Sequence, residues 1–189
     1  MRKLILFMHV SLDGFVAGSN GEMNWIHVDD AIFDYADRLT TESDAALYGR
    51  VTYEMMDAYW PTAADQPSAD KHAIHHSRWY NRVQKIVVSN SLEGRDIPNT
   101  QVIGSENLET EVRRFKESSG KNICIFGSPS ASHALMRLDL IDEYWLFINP
   151  VLMGAGIPLF KDLQGQVRLQ LVESKTFDSG VIGAHYVKI

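Results

Sequence analysis

The chain has 189 residues, of which 45% are hydrophobic and 22% are charged. This composition is typical of a globular protein that can bury a core without disulfides or metals. The net charge of −6 and the lack of a basic run argue against duplex DNA or RNA as the main partner, because phosphate contacts need clustered cations. No segment approaches the roughly 20 apolar residues of a membrane helix. We expect a single domain over residues 1–189, with no nucleic-acid or membrane partner.

The only cysteine, Cys124, lies inside an apolar run, so no intrachain disulfide can form. A chain without disulfides suits a reducing compartment, and we expect a cytoplasmic protein. The thiol can be interpreted as a nucleophile or as a small buried strand residue. Its apolar neighbours favour the second interpretation.

Short apolar runs recur along the chain without alternating apolar and polar residues. Such runs are typical of strands that are buried on both faces of an α/β sheet. The runs are residues 4–8, 45–48, 85–88, 122–126 and 144–148.

Helix patterns lie between these runs. Apolar residues at helical spacing over residues 32–39 predict a first helix, which Asp29 or Asp30 can cap. A second helix is predicted to begin at Ser105 and to stop at Gly120, and a third follows the fourth apolar run. This alternation predicts an α/β fold with a mostly parallel central sheet flanked by helices.

Two segments depart from the alternation. Residues 58–83 contain two prolines and three histidines, and we expect a loop followed by a short helix. The β-rich segments 167–177 and 181–189 are separated by Asp178-Ser179-Gly180. That spacing predicts an antiparallel C-terminal hairpin.

Small and hydroxyl-bearing residues follow the apolar runs, at the strand ends where open α/β sheets bind ligands. In the turn after 122–126, Gly127 allows close backbone approach, Ser128 can cap a helix and Pro129 suits the first helical position. The hydroxyl of Ser128 or Ser130 can donate to a phosphate, as helix N-termini attract anions. The alternative is ordinary helix capping without a ligand. The other strand ends carry Gly49-Arg50-Val51-Thr52, Ser89-Asn90-Ser91 and Asn149-Pro150.

An ordered set of motifs extends over nearly the whole chain. It comprises SLDGFVA (11–17), YGRVTYEMM (48–56), KIVVSNS (85–91), IFGSPS (125–130) and LFINPVLMGAGIPLF (146–160). The set resembles the dihydrofolate reductase-like superfamily, and within it the bacterial group related to the reductase domain of riboflavin biosynthesis. The resemblance implies a dihydrofolate reductase-like fold that binds NADPH. It also suggests a homodimer.

The resemblance implies a location for each part of the cofactor. It points to the phosphates near the helix that starts at Arg50 and to the adenosine 2′-phosphate at the end of the 85–88 run. It points to the pyrophosphate at the glycine turn and to the nicotinamide under the loop that includes Ser11 and Gly14. The implied cofactor residues are Val10, Gly49, Arg50, Val51, Thr52, Ser89, Asn90, Ser91, Gly127, Ser128, Pro129 and Ser130.

Two features depart from dihydrofolate reductases. Their glycine turn has a Gly-Gly pair where this chain has Gly127-Ser128, and the early SLDG motif is closer to the riboflavin-pathway reductases. Both features argue against folate itself as the substrate.

Two acids are catalytic candidates. The resemblance implies that Asp30, half shielded by Trp25, matches the buried acid that anchors the pterin, whereas its alternative role is helix capping. Asp13 follows the first strand near the expected nicotinamide, whereas its alternative role is a turn aspartate before Gly14.

The candidate substrate-binding residues are mostly aromatic. Trp25, Phe33 and Trp60 can form a wall for a flat heterocycle or belong to the core, and Asn149 can bind substrate or satisfy backbone groups. His72, His75 and His76 have the spacing of a metal site, but we expect them on an exposed helix face and expect no metal.

The predicted function is an NADPH-dependent reductase of a small pteridine- or pyrimidine-like heterocycle, acting on a CH–NH or carbonyl group of the ring or its sugar. The hypothesis includes reductases of the dihydrofolate type and of the 5-amino-6-ribosylamino-uracil type. The alternative is a nucleotide-binding or interaction protein that keeps the fold without the reaction. A metal-dependent hydrolase based on the histidines is a third, weaker hypothesis.

Overall fold

A computed structural model describes residues 1–189 and contains ten strands and five α-helices. The strands are β1 (Leu4–Ser11), β2 (Phe15–Ala17), β3 (Ser43–Gly49), β4 (Gln84–Val88), β5 (Thr100–Ile103), β6 (Asn122–Phe126), β7 (Glu143–Asn149), β8 (Ile157–Pro158), β9 (Leu169–Thr176) and β10 (Ile182–Lys188). The helices are α1 (Asp30–Glu42), α2 (Arg50–Tyr59), α3 (Lys71–Arg82), α4 (Leu108–Glu117) and α5 (Pro129–Arg137).

The central sheet has eight strands in the order β5-β4-β3-β6-β1-β7-β10-β9. The strands from β5 to β7 are parallel, and β10 pairs antiparallel with both β7 and β9. A small second sheet pairs β2 with β8. The predicted α/β fold, with a mostly parallel sheet and an antiparallel C-terminal hairpin, is confirmed.

Two hydrophobic cores cover the two faces of the sheet. Along β1, Leu4 and Leu6 face the core formed with α4 and α5, whereas Ile5 faces the core formed with α1, α2 and α3. Because β1 is buried on both faces, its sequence is continuously apolar, as the predicted strand type requires. Leu6 and Leu39 are fully buried, so replacing either with alanine should cost about 2–5 kcal/mol.

Several local predictions were wrong in detail. Residues 58–83 contain the expected loop, at 66–70, and the helix that follows it, but a 3-10 helix over Trp60–Asp65 precedes the loop and α3 has twelve residues. Ser105 does not cap α4; it begins a short 3-10 turn, and α4 starts at Leu108. The same helix ends at Glu117, before Gly120.

The end of β1 extends beyond its pairing with β6. The register with β6 stops at Phe7, which pairs with Phe126, whereas pairing with β7 continues to Ser11. Residues 8–11 of β1 therefore leave a notch in the sheet between β1 and the turn after β6. None of the helices is both long enough and apolar enough to span a bilayer.

Candidate functional site

A cleft of about 660 Å³ lies at the carboxyl edge of the parallel strands. It is formed by the β3–α2 and β6–α5 junctions, the end of β4 and the start of α4. This edge is where open α/β sheets bind ligands. The cleft brings together nearly all of the residues predicted to bind the cofactor, namely Gly49, Arg50, Val51, Thr52, Ser89, Asn90, Ser91, Ser128, Pro129 and Ser130.

A larger recess, of about 760 Å³, lies beside the start of β4 and along β5. Its only hydrophobic lining residue is Val102. Because ligand sites are usually lined by apolar side chains with a few polar groups, this recess is the weaker candidate.

The β3–α2 junction supplies the positive end of the cleft. The first N–H groups of α2 have no intrahelical partner and carry partial positive charge, as in any helix. No side chain caps them. Arg50 is the one charged residue among those that line the cleft, and its guanidinium contacts the Glu54 carboxylate at 2.7 Å. This junction therefore suits an anionic group such as a phosphate.

The turn after β6 has two consecutive residues in the left-handed region. Gly127 has φ of 59° and Ser128 has φ of 60°, so Ser128 takes the conformation that favours glycine. The Ser128 hydroxyl is buried: it donates to the Phe126 carbonyl at 3.1 Å and accepts the Gly49 N–H at 2.9 Å. Ser128 is the N-cap residue of α5 and Pro129 its first residue, as predicted, but the hydroxyl makes no capping hydrogen bond and joins the ends of β3 and β6 instead.

Close packing brings these two junctions into contact. A Cβ atom at Gly127 would lie 3.6 Å from the Thr52 methyl, and one at Gly49 would lie 3.8 Å from the Cβ of Ser128. The N-termini of α2 and α5 therefore face one cleft. With the Ser128 hydroxyl engaged, Ser130 remains as the exposed hydroxyl at the start of α5.

The end of β4 supplies the opposite wall. The Ser89 hydroxyl lies 3.2 Å from that of Ser91 and accepts the Leu92 N–H at 3.2 Å. Asn90 accepts the Ser105 N–H at 2.7 Å and donates to the Ser105 hydroxyl at 3.0 Å. Ser105 and Leu108 line the cleft as well, and both were missed because they lie beyond a strand end that no long apolar run marks.

The notch at the end of β1 adjoins this cleft. The Gly127 N–H donates to the Phe7 carbonyl at 3.2 Å, the last backbone link between β1 and the turn. Val10, which was predicted to contact the cofactor, has its side chain in the core beneath α4 and α5 and is 4% exposed. Only its backbone is available to a group in the notch, and that contact remains a prediction.

Hydrogen bonds to the Asp13 carboxylate link the loop after β1 to the turn before β8. It accepts hydrogen bonds from the Ser11 hydroxyl at 2.6 Å and from the N–H groups of Met153 and Gly154 at 3.0 and 2.8 Å. The Ser11 hydroxyl and then the Gly154 N–H lower the pKa of Asp13 to about 2. A carboxylate with this pKa stays ionised at neutral pH, and its contacts fit the alternative of a turn aspartate before Gly14; a catalytic role of Asp13 stays a prediction.

Asp30 is not the buried acid that the resemblance implied. Its side chain is 76% exposed in the first turn of α1, and its carboxylate lies 3.5 Å from the Nε2 of His72. The N-cap of α1 is Asp29, which accepts the Ile32 N–H at 2.9 Å. The indole of Trp25 donates to the Glu22 carbonyl at 3.2 Å and leaves Asp30 open to solvent. The expected shielding was therefore wrong.

Phe33 and Trp60 each lie against a histidine of α3. Phe33 stacks on His72 with the ring centroids 5.1 Å apart, and Trp60 lies 4.1 Å from His76. Both rings are half-buried. Trp25 lies in the loop before α1 and pairs with neither ring, and Phe33 and Trp60 stack on different histidines, so the aromatic wall for a heterocycle stays a prediction.

The histidine trio of α3 is not the exposed face that we expected. His72 is only 10% exposed in its side chain, and His76 is covered by Trp60. His75 alone is open, with its Nδ1 at 2.8 Å from the Asp37 carboxylate. No group of three or more His, Cys, Asp or Glu side chains is arranged to hold a metal ion.

Asn149 is buried and fully engaged. Its carbonyl accepts the His27 N–H at 2.8 Å, and its amide donates to the Phe147 carbonyl at 3.0 Å. The second amide hydrogen faces the Nδ1 of His9 at 3.5 Å. These contacts leave nothing for a substrate, so the expectation of direct substrate binding by Asn149 was wrong.

His9 is a residue that the sequence reasoning missed. Its half-buried ring lies on β1 at the notch, against Phe7 and Phe147 at 5.5 and 5.1 Å. Burial lowers the pKa of His9 to about 4, so the imidazole is neutral at physiological pH. The sequence signal that could have identified His9 is a single histidine beside the apolar run of the first strand.

Comparison with known proteins gives sequence relatives along nearly the full length. A match to the RibD C-terminal domain family covers residues 2–183. The uncharacterized protein YyaP of Bacillus subtilis (strain 168) is 34% identical over 187 residues, which are 98% of this chain and 94% of the relative. The uncharacterized protein YwjB of the same strain is 31% identical over 189 residues, 99% of this chain and 98% of the relative.

Solved structures share the fold at low identity. A structure described as a riboflavin biosynthesis protein from Shewanella sp. PV-4 has a TM-score of 0.69 at 20% identity and covers 99% of both chains. A Thermotoga maritima protein, named as a deaminase and 5-amino-6-(5-phosphoribosylamino)uracil reductase, has a TM-score of 0.67 at 16% identity. It covers all of this chain, which spans 57% of the length of that protein. Dihydrofolate reductase from Enterococcus faecalis, complexed with NADP(H), has a TM-score of 0.63 at 15% identity over 98% of this chain and 96% of that chain.

Proposed function

The chain belongs to the RibD C-terminal domain family and has the dihydrofolate reductase-like fold, and we propose that it is an NADPH-dependent reductase of a small pteridine- or pyrimidine-like heterocycle. The observation that carries the proposal is the single cleft lined by several separate strand ends. Two helix N-termini and one arginine converge there beside the notch in β1.

The residues of the cleft fit the parts of a phosphorylated dinucleotide. Arg50 and the first N–H groups of α2 would hold phosphate, with Ser130 and the start of α5 on the other side. The hydroxyls of Ser89 and Ser91 and the side chain of Asn90 would receive the adenosine 2′-phosphate. NADPH supplies the hydride when bound. The chain's own residues bind, orient and shield the reactants.

The reaction class follows from this arrangement. A hydride from NADPH and a proton from solvent together reduce a C=N or C=O bond of the heterocycle or of its sugar. The name of the T. maritima neighbour suggests an aminouracil as one acceptor type. Neither Asp13 nor Asp30 is held as a buried acid, so we assign the proton to solvent.

Cofactor binding is tested by thermal unfolding. NADPH at 100 times its Kd should stabilise the native protein by about 2.7 kcal/mol, and NADH should do so less, since NADH lacks the 2′-phosphate. Arg50→Ala should reduce the stabilisation by both cofactors, because both carry the pyrophosphate that Arg50 would hold. Arg137→Ala removes an exposed arginine at the end of α5, outside the cleft, and should preserve the stabilisation.

Turnover is tested by the loss of NADPH absorbance with dihydrofolate, dihydropterins and aminouracil ribosides. Oxidation with any of these supports the reductase. NADPH binding without oxidation of any acceptor favours the alternative, a nucleotide-binding protein that keeps the fold without the reaction. Absence of both binding and oxidation contradicts the proposal.

We also propose that the protein is a homodimer that works in the cytoplasm. The eight-residue β9 forms one edge of the sheet, and Leu171 and Val172 on it are 49% and 56% exposed. Exposed edge strands with apolar side chains can pair with a second chain. Sedimentation should give twice the 21.4 kDa chain mass, and Val172→Lys should return the monomer.

A further inference from the structure

The small second sheet contributes to one wall of the cleft. We call it the flap; it consists of β2, β8 and the turns that lead to them, residues 12–17 and 151–159. Ile157 on β8 lines the cleft together with Ala134 of α5. Leu159 is fully buried and fixes the end of the flap in the core. The turn over residues 151–156 contains no buried residue, so hydrogen bonds hold the segment that leads to Ile157.

The loop after β1 anchors this turn through one side chain. The Asp13 carboxylate accepts the N–H groups of Met153 and Gly154 at 3.0 and 2.8 Å. The Ser11 hydroxyl donates to the same carboxylate at 2.6 Å and accepts the Phe15 N–H at 2.9 Å, which orients the Asp13 side chain. Hydrogen bonds to a charged acceptor are stronger than those to a neutral one. Asp13 therefore fixes the turn on the N-terminal side of β8.

A second anchor lies on the other side of Ile157. The His133 Nε2 lies 2.9 Å from the Pro158 carbonyl oxygen, and the imidazole donates because a carbonyl can only accept. His133 belongs to α5, whose first residues line the cleft. Between the two anchors the strands of the flap approach closely, since a Cβ atom at Gly156 would lie 2.3 Å from the Ala17 carbonyl oxygen. The position of Ile157 is thus set by the loop after β1, by α5 and by β2.

The strand order places the flap at one end of the cleft. The central sheet follows the order β4-β3-β6-β1 across the cleft, and the flap continues from the end of β1. Ser89, Asn90 and Ser91 line the cleft at the β4 end. Under the proposed function these three residues receive the adenosine 2′-phosphate. The flap then lies beside the opposite half of the dinucleotide, which carries the nicotinamide.

We infer that Asp13 and His133 are positioning residues, which hold Ile157 in the wall against the nicotinamide half of the bound cofactor. The inference rests on the proposed function, because it assumes that the cleft binds NADPH. Neither Asp13 nor His133 lines the cleft, so each acts through the flap. A wall that is already in place before binding costs less to order when the cofactor binds. Loss of either anchor therefore weakens the grip on the nicotinamide half and leaves the adenosine end unchanged.

The test compares calorimetric Kd values for NADPH and for adenosine 2′,5′-bisphosphate, which has the adenosine end and lacks the nicotinamide. Asp13→Ala should weaken NADPH about fivefold and leave the bisphosphate unchanged. Asp13→Asn keeps an acceptor oxygen and should recover part of the loss. His133→Leu should act like Asp13→Ala, and His133→Gln, which keeps an N–H donor, should recover part of the affinity. Asp65→Ala removes an exposed carboxylate outside the cleft and should change neither Kd.

A double-mutant cycle tests whether Asp13 acts through Ile157. Ile157→Ala should itself weaken NADPH, and adding Asp13→Ala should then change the Kd less than about twofold, because the wall that Asp13 positions is already gone. Equal weakening of both ligands by Asp13→Ala, an unchanged NADPH Kd, or losses that multiply in full in the double variant would overturn the inference. Failure of the wild-type protein to bind either ligand is a different result, which contradicts the proposed function.

Discussion

The cleft at the strand ends and the aromatic packing around α3 lie in one molecule, yet they are built from different material. The cleft consists of backbone N–H groups and small side chains at strand ends, and its shape depends on turns such as the one at Ser128. The packing around α3 consists of large rings, with Phe33 against His72 and Trp60 against His76. Substitutions in the cleft should therefore disturb folding and binding together, whereas substitutions of buried histidines should change the acid sensitivity of the fold.

The largest expected effect concerns two shielded histidines, His9 and His76. Burial lowers the pKa of His76 to about 4, with Asp37 opposing the shift, and burial does the same for His9. Both pKa values lie below the ordinary 6.5, so on acidification the unfolded chain takes up protons first. Stability from these groups is complete above pH 6.5 and is lost as the pH falls towards 4. Between pH 6.5 and 5 the loss should be about 2 kcal/mol per histidine.

Urea unfolding of the wild-type protein and His76→Phe at several pH values isolates this contribution. Phenylalanine suits the aromatic surroundings and cannot take up a proton. The variant should lose about 2 kcal/mol less than the wild-type protein over the same range. The other histidines and the carboxylates are common to both proteins, so parallel pH curves would contradict the assignment.

An intermediate effect is expected in the cleft from Ser128→Ala. Removing the hydroxyl leaves the Gly49 N–H without its partner, whereas the backbone at φ of 60° carries a Cβ atom in both proteins. The free energy of unfolding should fall by about 1–3 kcal/mol, and NADPH should bind more weakly because two helix N-termini lose their common link. Ser130→Ala, two residues further on, should leave the unfolding free energy nearly unchanged. Chemical denaturation with and without NADPH measures both quantities.

The smallest expected effect comes from Glu54→Gln. This residue pairs with Arg50 at the rim of the cleft, where both side chains are about half exposed. Such pairs contribute less than about 1 kcal/mol, so freeing the guanidinium should tighten NADPH binding only about twofold. Glu117→Gln removes the same charge at the end of α4 and should have no effect. A weaker Kd in Glu54→Gln would show that the carboxylate positions Arg50 instead of competing for it.

The cleft at the strand ends was largely predictable from the sequence because its parts are local. A turn of glycine, serine and proline after an apolar run specifies a strand end by itself, and parallel strands then bring all such ends to one edge. The positions of Arg50, Ser89 and Ser128 at a shared cleft followed from that rule. The hydroxyl of Ser128 was still misassigned, because its partner, Gly49, is 79 residues away.

The contacts of individual acidic and aromatic side chains were not predictable in the same way. Asp30 and Asp29 are neighbours with equal claim to cap a helix, and only the backbone path decided that Asp29 does so. Asp13 looked like an acid near the reactants, but hydrogen bonds from the Ser11 hydroxyl and then from the distant Gly154 N–H lower its pKa. The histidines of α3 were expected to be exposed, and the position of Trp60 decided that His76 is covered.

The sequence by itself determined the order of the long strands, the parallel sheet, the C-terminal hairpin and the family, because apolar periodicity and turn chemistry act over a few residues. The tertiary structure alone decided which polar side chains are buried, paired or free. Those properties depend on neighbours far apart in the chain, as the Asn149–His9 contact shows across 140 positions. The protonation of His9 is therefore a property of the folded molecule.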